Sequence, residues 1–148
     1  TPAKVKLAVS GCPRNCAEAT CKDIGVICVD SGYDIQFAGA AGLDIKGTEL
    51  LCHADTEDEA LEIIVALTQL YREQGHYLER IYKWAKRVGN DSIKAAVVDD
   101  LAKRRQLNER FVYSQQFAQV DPWEERVNGK DAHEFAAMAE FGLPVAAE

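Results

Sequence analysis

Val5, Leu7 and Val9 interleave with Lys4, Lys6 and Ala8 over residues 4–10. Apolar residues at every second position predict a strand with one buried face. Residues 11–22 are rich in Cys and Ala and predict a turn leading into one or two helical turns. Ile24–Val29, reading IGVICV, is nearly continuous in apolar residues and predicts a buried strand. Asp30-Ser31-Gly32 carries turn chemistry, and Tyr33, Ile35 and Phe37 alternate after it, which predicts a β-hairpin. A loop of glycine and alanine over residues 38–42 ends the hairpin, and a short strand is expected over residues 49–53.

From Asp55 the period changes from two to 3.6. Thr56 and Glu59 form a capping box. Ala60, Ile63, Ile64, Leu67 and Leu70 then repeat at helical spacing up to Gly75. Tyr77, Leu78, Ile81, Tyr82 and Ala85 predict a second helix ended by Gly89. A third, capped by Asn90 or Asp91, carries Ile93, Ala96 and Val97, and a fourth is expected over residues 101–117. Asp121-Pro122-Trp123 reads as a helix stop, followed by a short candidate helix over residues 132–141. Strands first and helices after is an α+β pattern: a small mixed β-sheet followed by a helical C-terminal region. Residues 1–123 are expected to form one unit and residues 124–148 a loosely held tail.

The chain has 148 residues, 47% of them hydrophobic, enough for a core without disulfides or a structural metal. A net charge of -7 argues against nucleic acid and anionic membrane surfaces as partners. No stretch approaches the roughly 20 apolar residues that span a bilayer, and no signal peptide is recognisable. Thr1 in place of Met fits a piece of a longer polypeptide or a processed N-terminus. Five irregularly spaced cysteines point away from a disulfide framework and toward a reducing cytoplasm.

The chemistry concentrates in residues 10–21, SGCPRNCAEATC. Thiolates bind soft iron centres and zinc, and Cys12 and Cys16 at a strand end can bring two of them together. Pro13 fixes a backbone dihedral in the turn, and Gly11 permits close approach of the main chain. Spacing alone leaves several readings open. Two small cysteines following a strand are common. A zinc site would prefer Cys-x2-Cys with a later Cys or His pair, and His53, His76 and His133 offer none. A self-contained cluster on Cys12, Cys16, Cys21 and Cys28 matches no ferredoxin spacing, and Cys28 falls within an apolar strand where a thiol is a core filler.

Ser10-Gly11-Cys12-Pro13-x-x-Cys16 resembles the second cysteine pair of the sirohaem and 4Fe–4S nitrite and sulfite reductases. Residues 9–26 are similar to the same region of the large subunit of bacterial NAD(P)H-dependent assimilatory nitrite reductases. So are Gly39 to Gly42, the segments LYRE and YLER at residues 70–73 and 77–80, and Val88-Gly89. Asp121-Pro122-Trp123 resembles a sequence near the end of that subunit, so the similarity spans about residues 5–123. Sulfite reductases more often read Cys-Pro-Asn-Gly-Cys, so Arg14-Asn15 favours nitrite over sulfite.

The resemblance implies a 4Fe–4S cluster held by four thiolates, two from a Cys-x5-Cys pair and two from Cys12 and Cys16. Cys16 would also bridge to the sirohaem iron. Electrons would come from NAD(P)H through FAD and a further iron–sulfur cluster on upstream domains, and nitrite would take six of them to become ammonium. A small Rieske-type subunit and a homo-oligomer are implied as partners. Arg14 and Asn15, the latter through its backbone N–H, are expected near cluster sulfides or sirohaem carboxylates, and Gly39 and Gly42 in close approach to a cofactor. No catalytic side chain is expected in this chain, and the first cysteine pair and the anion-gripping cations are expected upstream. Ala38 departs from relatives that often carry glycine there. A sulfite reductase of the same architecture, or a cofactor-free dimerisation or docking module, is the alternative. Tyr71, Tyr77, Tyr82 and Trp84 are expected in the core, residues 99–105 on an exposed charged helix face, and Lys22 and Asp23 in local pairs.

Overall fold

The computed structural model describes residues 1–117 and 122–129. The described residues group into two units, one over Thr1–Ser114 and a second beginning at Gln115. The first carries a four-stranded sheet in the order β1-β2-β3-β4: β1 Leu7–Ser10, β2 Ile24–Val29, β3 Gly32–Phe37 and β4 Glu49–Ala54. β1 runs parallel to β2, with Leu7 opposite Ile24, and the other two pairings are antiparallel. A register shift at Ile35/Gln36 bends the β3–β4 pair. The helices are α1 Glu57–Gln74, α2 Ile81–Val88, α3 Asn90–Lys94 and α4 Leu101–Gln115, with one π-helical segment, Ala95–Asp99, after α3. This is the expected α+β arrangement of a mixed sheet followed by helices.

The sheet and helices share one core. Ile24, Ile35 and Phe37 from the sheet pack with Ile63, Leu67, Tyr71 and Trp84 from the helices, all essentially inaccessible. The Tyr71 and Trp84 rings meet at 5.4 Å between centroids and 57° between planes, a tilted geometry that suits the aromatic quadrupoles. α1 begins as expected: Thr56 Oγ1 accepts the Glu59 N–H, and Glu59 reaches back to the Asp55 N–H.

Several expectations are corrected by long-range contacts. β1 starts at Leu7 and its apolar face is not buried: Leu7 is 60% and Val9 65% exposed. β1 is an edge strand and α1 packs on β3 and β4 without covering it. The second helix begins at Ile81 because residues 76–79 form a turn. There Leu78 takes φ 61° and gives its N–H to the Pro2 carbonyl, and Glu79 N–H bonds to the His76 carbonyl. Tyr77 is therefore exposed, and Tyr82, half-buried, bonds through its hydroxyl to the Asp44 carboxylate. Gly89, not Asn90 or Asp91, caps α3. Arg104 does not join an exposed face: it is buried beside Glu59 and Glu62 of α1, at 4.0 and 3.5 Å.

In the second unit, Pro122 opens helix α5, Pro122–Val127, a position where its missing N–H costs nothing. Gly129 then takes φ 68°. The expected helix over residues 132–141 lies outside the described residues. Among the described residues, no helix is long and apolar enough to cross a membrane.

Candidate cluster-binding turn

The parallel pairing of β1 with β2 sends the intervening chain back along the sheet, and this crossover carries the cysteine motif. It descends through successive tight turns. Asn15 N–H donates to the Cys12 carbonyl (3.2 Å), Glu18 N–H to Asn15 (2.9 Å) and Cys21 N–H to Glu18 (3.2 Å). Asn15 and Glu18 both take φ 54°, the left-handed region that reverses a chain tightly. Buried Ser10 donates its hydroxyl to the Cys12 carbonyl at 3.2 Å, so Cys12 O is held from two sides.

The lower half of the crossover is fixed to the sheet. Ala19 is fully buried. A Cβ on Gly25 of β2 would stand 2.3 Å from the Ala19 carbonyl oxygen, so only glycine admits this approach. Thr48 N–H donates to Thr20, Gly39 N–H to Lys22 and Ala38 N–H to Asp23, all through backbone carbonyls at 2.9–3.0 Å. The Asp23 carboxylate, fully buried, accepts from Lys6 N–H at 2.8 Å and from Arg80 Nε and a terminal guanidinium nitrogen at 3.2 and 2.6 Å. Asp23 therefore pairs at long range, while Lys22 pairs locally with Glu18 at 3.2 Å. Glu18, followed by Cys21, raises the Lys22 ammonium pKa.

Cys16 is exposed and Cys12 half-buried, and all five cysteines are free thiols. Cys21 Sγ donates to the Glu18 carbonyl and has Lys22 Nζ at 3.4 Å. Cys52 is buried in β4, where desolvation pushes its pKa up to about 11, so it stays a neutral thiol. Arg14 is exposed on the thiol turn. Asn15 spends its backbone N–H on Cys12 and its side chain on the loop below. Gly39 meets its own chain: a Cβ there would lie 2.6 Å from the Lys22 carbonyl and the Thr48 methyl. Gly42 has open space around its Cα and lines a surface pocket of about 290 Å³ with Lys4, Lys6 and Arg80. Among the described residues, no hydrogen bond joins residues 38–42 directly to the Cys12–Cys16 turn; the link runs through residues 20–23.

Sequence reasoning missed two members of this region. The Arg80 lock on Asp23 left only a weak signal, an acidic residue directly before a buried strand. The side-chain role of Asn15 left another, asparagine being tolerant of left-handed backbone. His53 pairs with Asp34 at 2.8 Å, and that contact raises its pKa. No group of three or more His, Cys, Asp or Glu side chains is placed to hold a metal among the described residues. Cys12 and Cys16, free thiols in two consecutive turns, are two sulfurs, where a cluster of the cubane kind takes four.

This is an α+β domain whose parallel crossover presents a Cys-x3-Cys turn at the sheet end. The chain belongs to the nitrite and sulphite reductase 4Fe-4S domain family, whose model matches residues 1–105. It is 41% identical over 130 residues to the NAD(P)H nitrite reductase of Bacillus subtilis (strain 168), covering 88% of this chain and 16% of that protein. The nitrite reductase (NADH) large subunit of Escherichia coli (strain K12) is 32% identical over 136 residues, covering 89% and 16%. An assimilatory-type sulfite reductase from Nitratidesulfovibrio vulgaris is 30% identical over 97 residues, covering 66% and 44%. The chain spans about one sixth of the length of the two nitrite reductases.

Proposed function

We propose that this chain supplies Cys12 and Cys16 as two of the four thiolates of a 4Fe–4S cluster in an assimilatory nitrite reductase, Cys16 also bridging to sirohaem. The observation that supports this is the pair of consecutive turns hinged at Asn15, the first headed by Cys12 and the second holding Cys16, with both thiols free and neither buried. When bound, the coupled cluster and macrocycle supply electrons and an open iron position for an oxyanion. The overall reaction is NO2⁻ + 8 H⁺ + 6 e⁻ → NH4⁺ + 2 H2O. The chain's own residues hold and orient. Cys12 and Cys16 provide the sulfurs, Ser10 and Asn15 fix the Cys12 carbonyl, and exposed Arg14 offers a guanidinium beside the turn.

The remaining thiolates, the anion-gripping cations, FAD, the NAD(P)H site and a further iron–sulfur cluster belong, in this reading, to other parts of a cytoplasmic polypeptide. A Rieske-type small subunit and a homo-oligomer complete it. Nitrite is preferred over sulfite because Arg14-Asn15 departs from the sulfite-reductase motif and because two relatives that cover 88% and 89% of this chain are named nitrite reductases. Cys16→Ser in the complete enzyme tests the assignment. Nitrite reduction should be abolished while flavin-dependent reduction of an artificial acceptor survives. Nitrite turnover near wild type would refute it, and steady-state turnover of nitrite against sulfite tests the substrate.

A further inference from the structure

The Asn15 side chain makes two short hydrogen bonds that a cysteine motif does not require. Its Oδ1 accepts the Ala19 N–H at 2.7 Å and its Nδ2 donates to Thr20 Oγ1 at 2.7 Å. Ala19 and Thr20 are the fixed end of the crossover: Ala19 is buried against Gly25, and the Thr20 carbonyl takes the Thr48 N–H. Asn15 itself stands at φ 54°, a conformation that β-branched residues avoid and that Gly and Asn accept. Its N–H and carbonyl are also committed, to Cys12 and Glu18. The residue preceding Cys16 is thus clamped by four hydrogen bonds, two of them from its side chain to an anchored segment.

We propose that Asn15 is a positioning residue: the left-handed backbone and the Ala19–Thr20 clip hold the Cys12–Cys16 turn in its ligand-presenting form before a metal arrives. The benefit is preorganisation, because a loop ordered in advance loses less entropy on binding. This rests on the reading of Cys12 and Cys16 as cluster ligands.

The test uses the 148-residue chain and phenylarsine oxide, which bonds to two neighbouring thiols with release of one water and so reports their geometry without a cluster. The adduct is assigned to Cys12 and Cys16 by mass spectrometry. Asn15→Val should bind at least tenfold more weakly than wild type, equivalent to about 1.4 kcal/mol. Asn15→Gly, free to take positive φ but without either clip bond, should recover only part of the loss and bind more weakly than Thr20→Val, while Asn15→Asp, which keeps the acceptor for Ala19 N–H, should stay within about threefold of wild type. Thr20→Val, which removes only the Nδ2 partner, should lose a few-fold and serves as the reading if Asn15→Val does not fold. In the full-length protein, iron per chain should fall in Asn15→Val and return in part in Asn15→Gly. Wild-type affinity in Asn15→Val and Thr20→Val, or an Asn15→Gly as weak as Asn15→Val, overturns the proposal. Failure of the ligand assignment looks different: Cys16→Ser then keeps its iron, while the arsenical series still ranks the Asn15 variants as above.

Discussion

Arg80 holds Asp23 across 57 positions of sequence, with two guanidinium nitrogens on its two carboxylate oxygens. The pair ties the start of β2 to the start of α2, and the Lys6 N–H on the same carboxylate adds the chain just before β1. Asp23 is fully buried and Arg80 partly so. Removing one partner strands the other's charge, the costly way to break such a pair. Asp23→Ala and Arg80→Met should each lower unfolding free energy by about 3 kcal/mol. The double variant should lose less than the sum. Urea denaturation checks this, and losses under about 1 kcal/mol would contradict it.

Ala38 is buried at φ 63°. A left-handed residue with a Cβ costs about 1–2 kcal/mol. Ala38→Gly relieves that strain but loses a buried methyl, worth about 0.8 kcal/mol, and gains unfolded-state freedom of about 0.5–1 kcal/mol. The terms nearly cancel, so Ala38→Gly should be neutral within about 0.5 kcal/mol. A buried Ala→Gly at ordinary φ loses stability outright. A drop above about 1.5 kcal/mol would show that the methyl packing dominates.

Glu79 receives two bonds from Arg87, at 2.9 and 2.7 Å, and one from His76 N–H at 2.9 Å. The Arg87 contact, ahead of the His76 bond, holds the Glu79 pKa down at about 2. A carboxylate with a depressed folded pKa adds stability above its unfolded pKa of about 4.3. That contribution fades as pH falls from there toward about 2. Arg87→Gln should return the Glu79 midpoint toward the normal range in a side-chain NMR titration. It should also move the acid-unfolding midpoint to higher pH. An unmoved acid midpoint would mean that solvent screens the pair completely.

These three relationships mark where sequence reading stopped. The strands, the capped start of α1 and the α+β order were legible because period and caps are local properties of a dozen residues. Pro13 made a turn after Cys12 legible, but that Cys12 heads one turn and Cys16 sits in the next, hinged at Asn15, was not. Arg104 looked like surface because a KRR run is usually solvated, and only the α1–α4 packing shows Glu59 and Glu62 around it. Tyr77 and Leu78 fitted the apolar stripe of α2 and fell outside it because the His76–Glu79 turn and the Pro2 carbonyl claim their backbone. Leu7 and Val9 alternate correctly, yet alternation reports which face is apolar and not whether anything covers it.

The reading of residues 124–148 as a loosely held tail predicts early proteolysis at Asn128-Gly129. Both residues are exposed just after α5, with Gly129 at φ 68°, the kind of turn that proteases open first. Limited digestion read by mass spectrometry should show this cut well before any within α1. Equal protection at the two sites would refute it.

The cysteines should sort by environment when challenged together. Cys16 is exposed, whereas Cys52 is buried with its pKa raised to about 11 by desolvation. Alkylation requires thiolate and access, and Cys52 lacks both at neutral pH. Iodoacetamide at pH 8 should therefore modify Cys16 at least about tenfold faster than Cys52. The same features make Cys52 a packing residue: its thiol lies among Ile35 of β3 and the other core side chains. Cys52→Ala should cost about 1–2 kcal/mol as a small cavity, and, on the proposed reading of Cys12 and Cys16 as cluster ligands, the full-length protein carrying it should keep its iron. Cys28→Ala, half-buried on the same strand face, should do likewise. Loss of iron–sulfur absorbance in either variant, with the fold intact by circular dichroism, would show that the ligand set reaches into the sheet and that Cys12 and Cys16 do not define it.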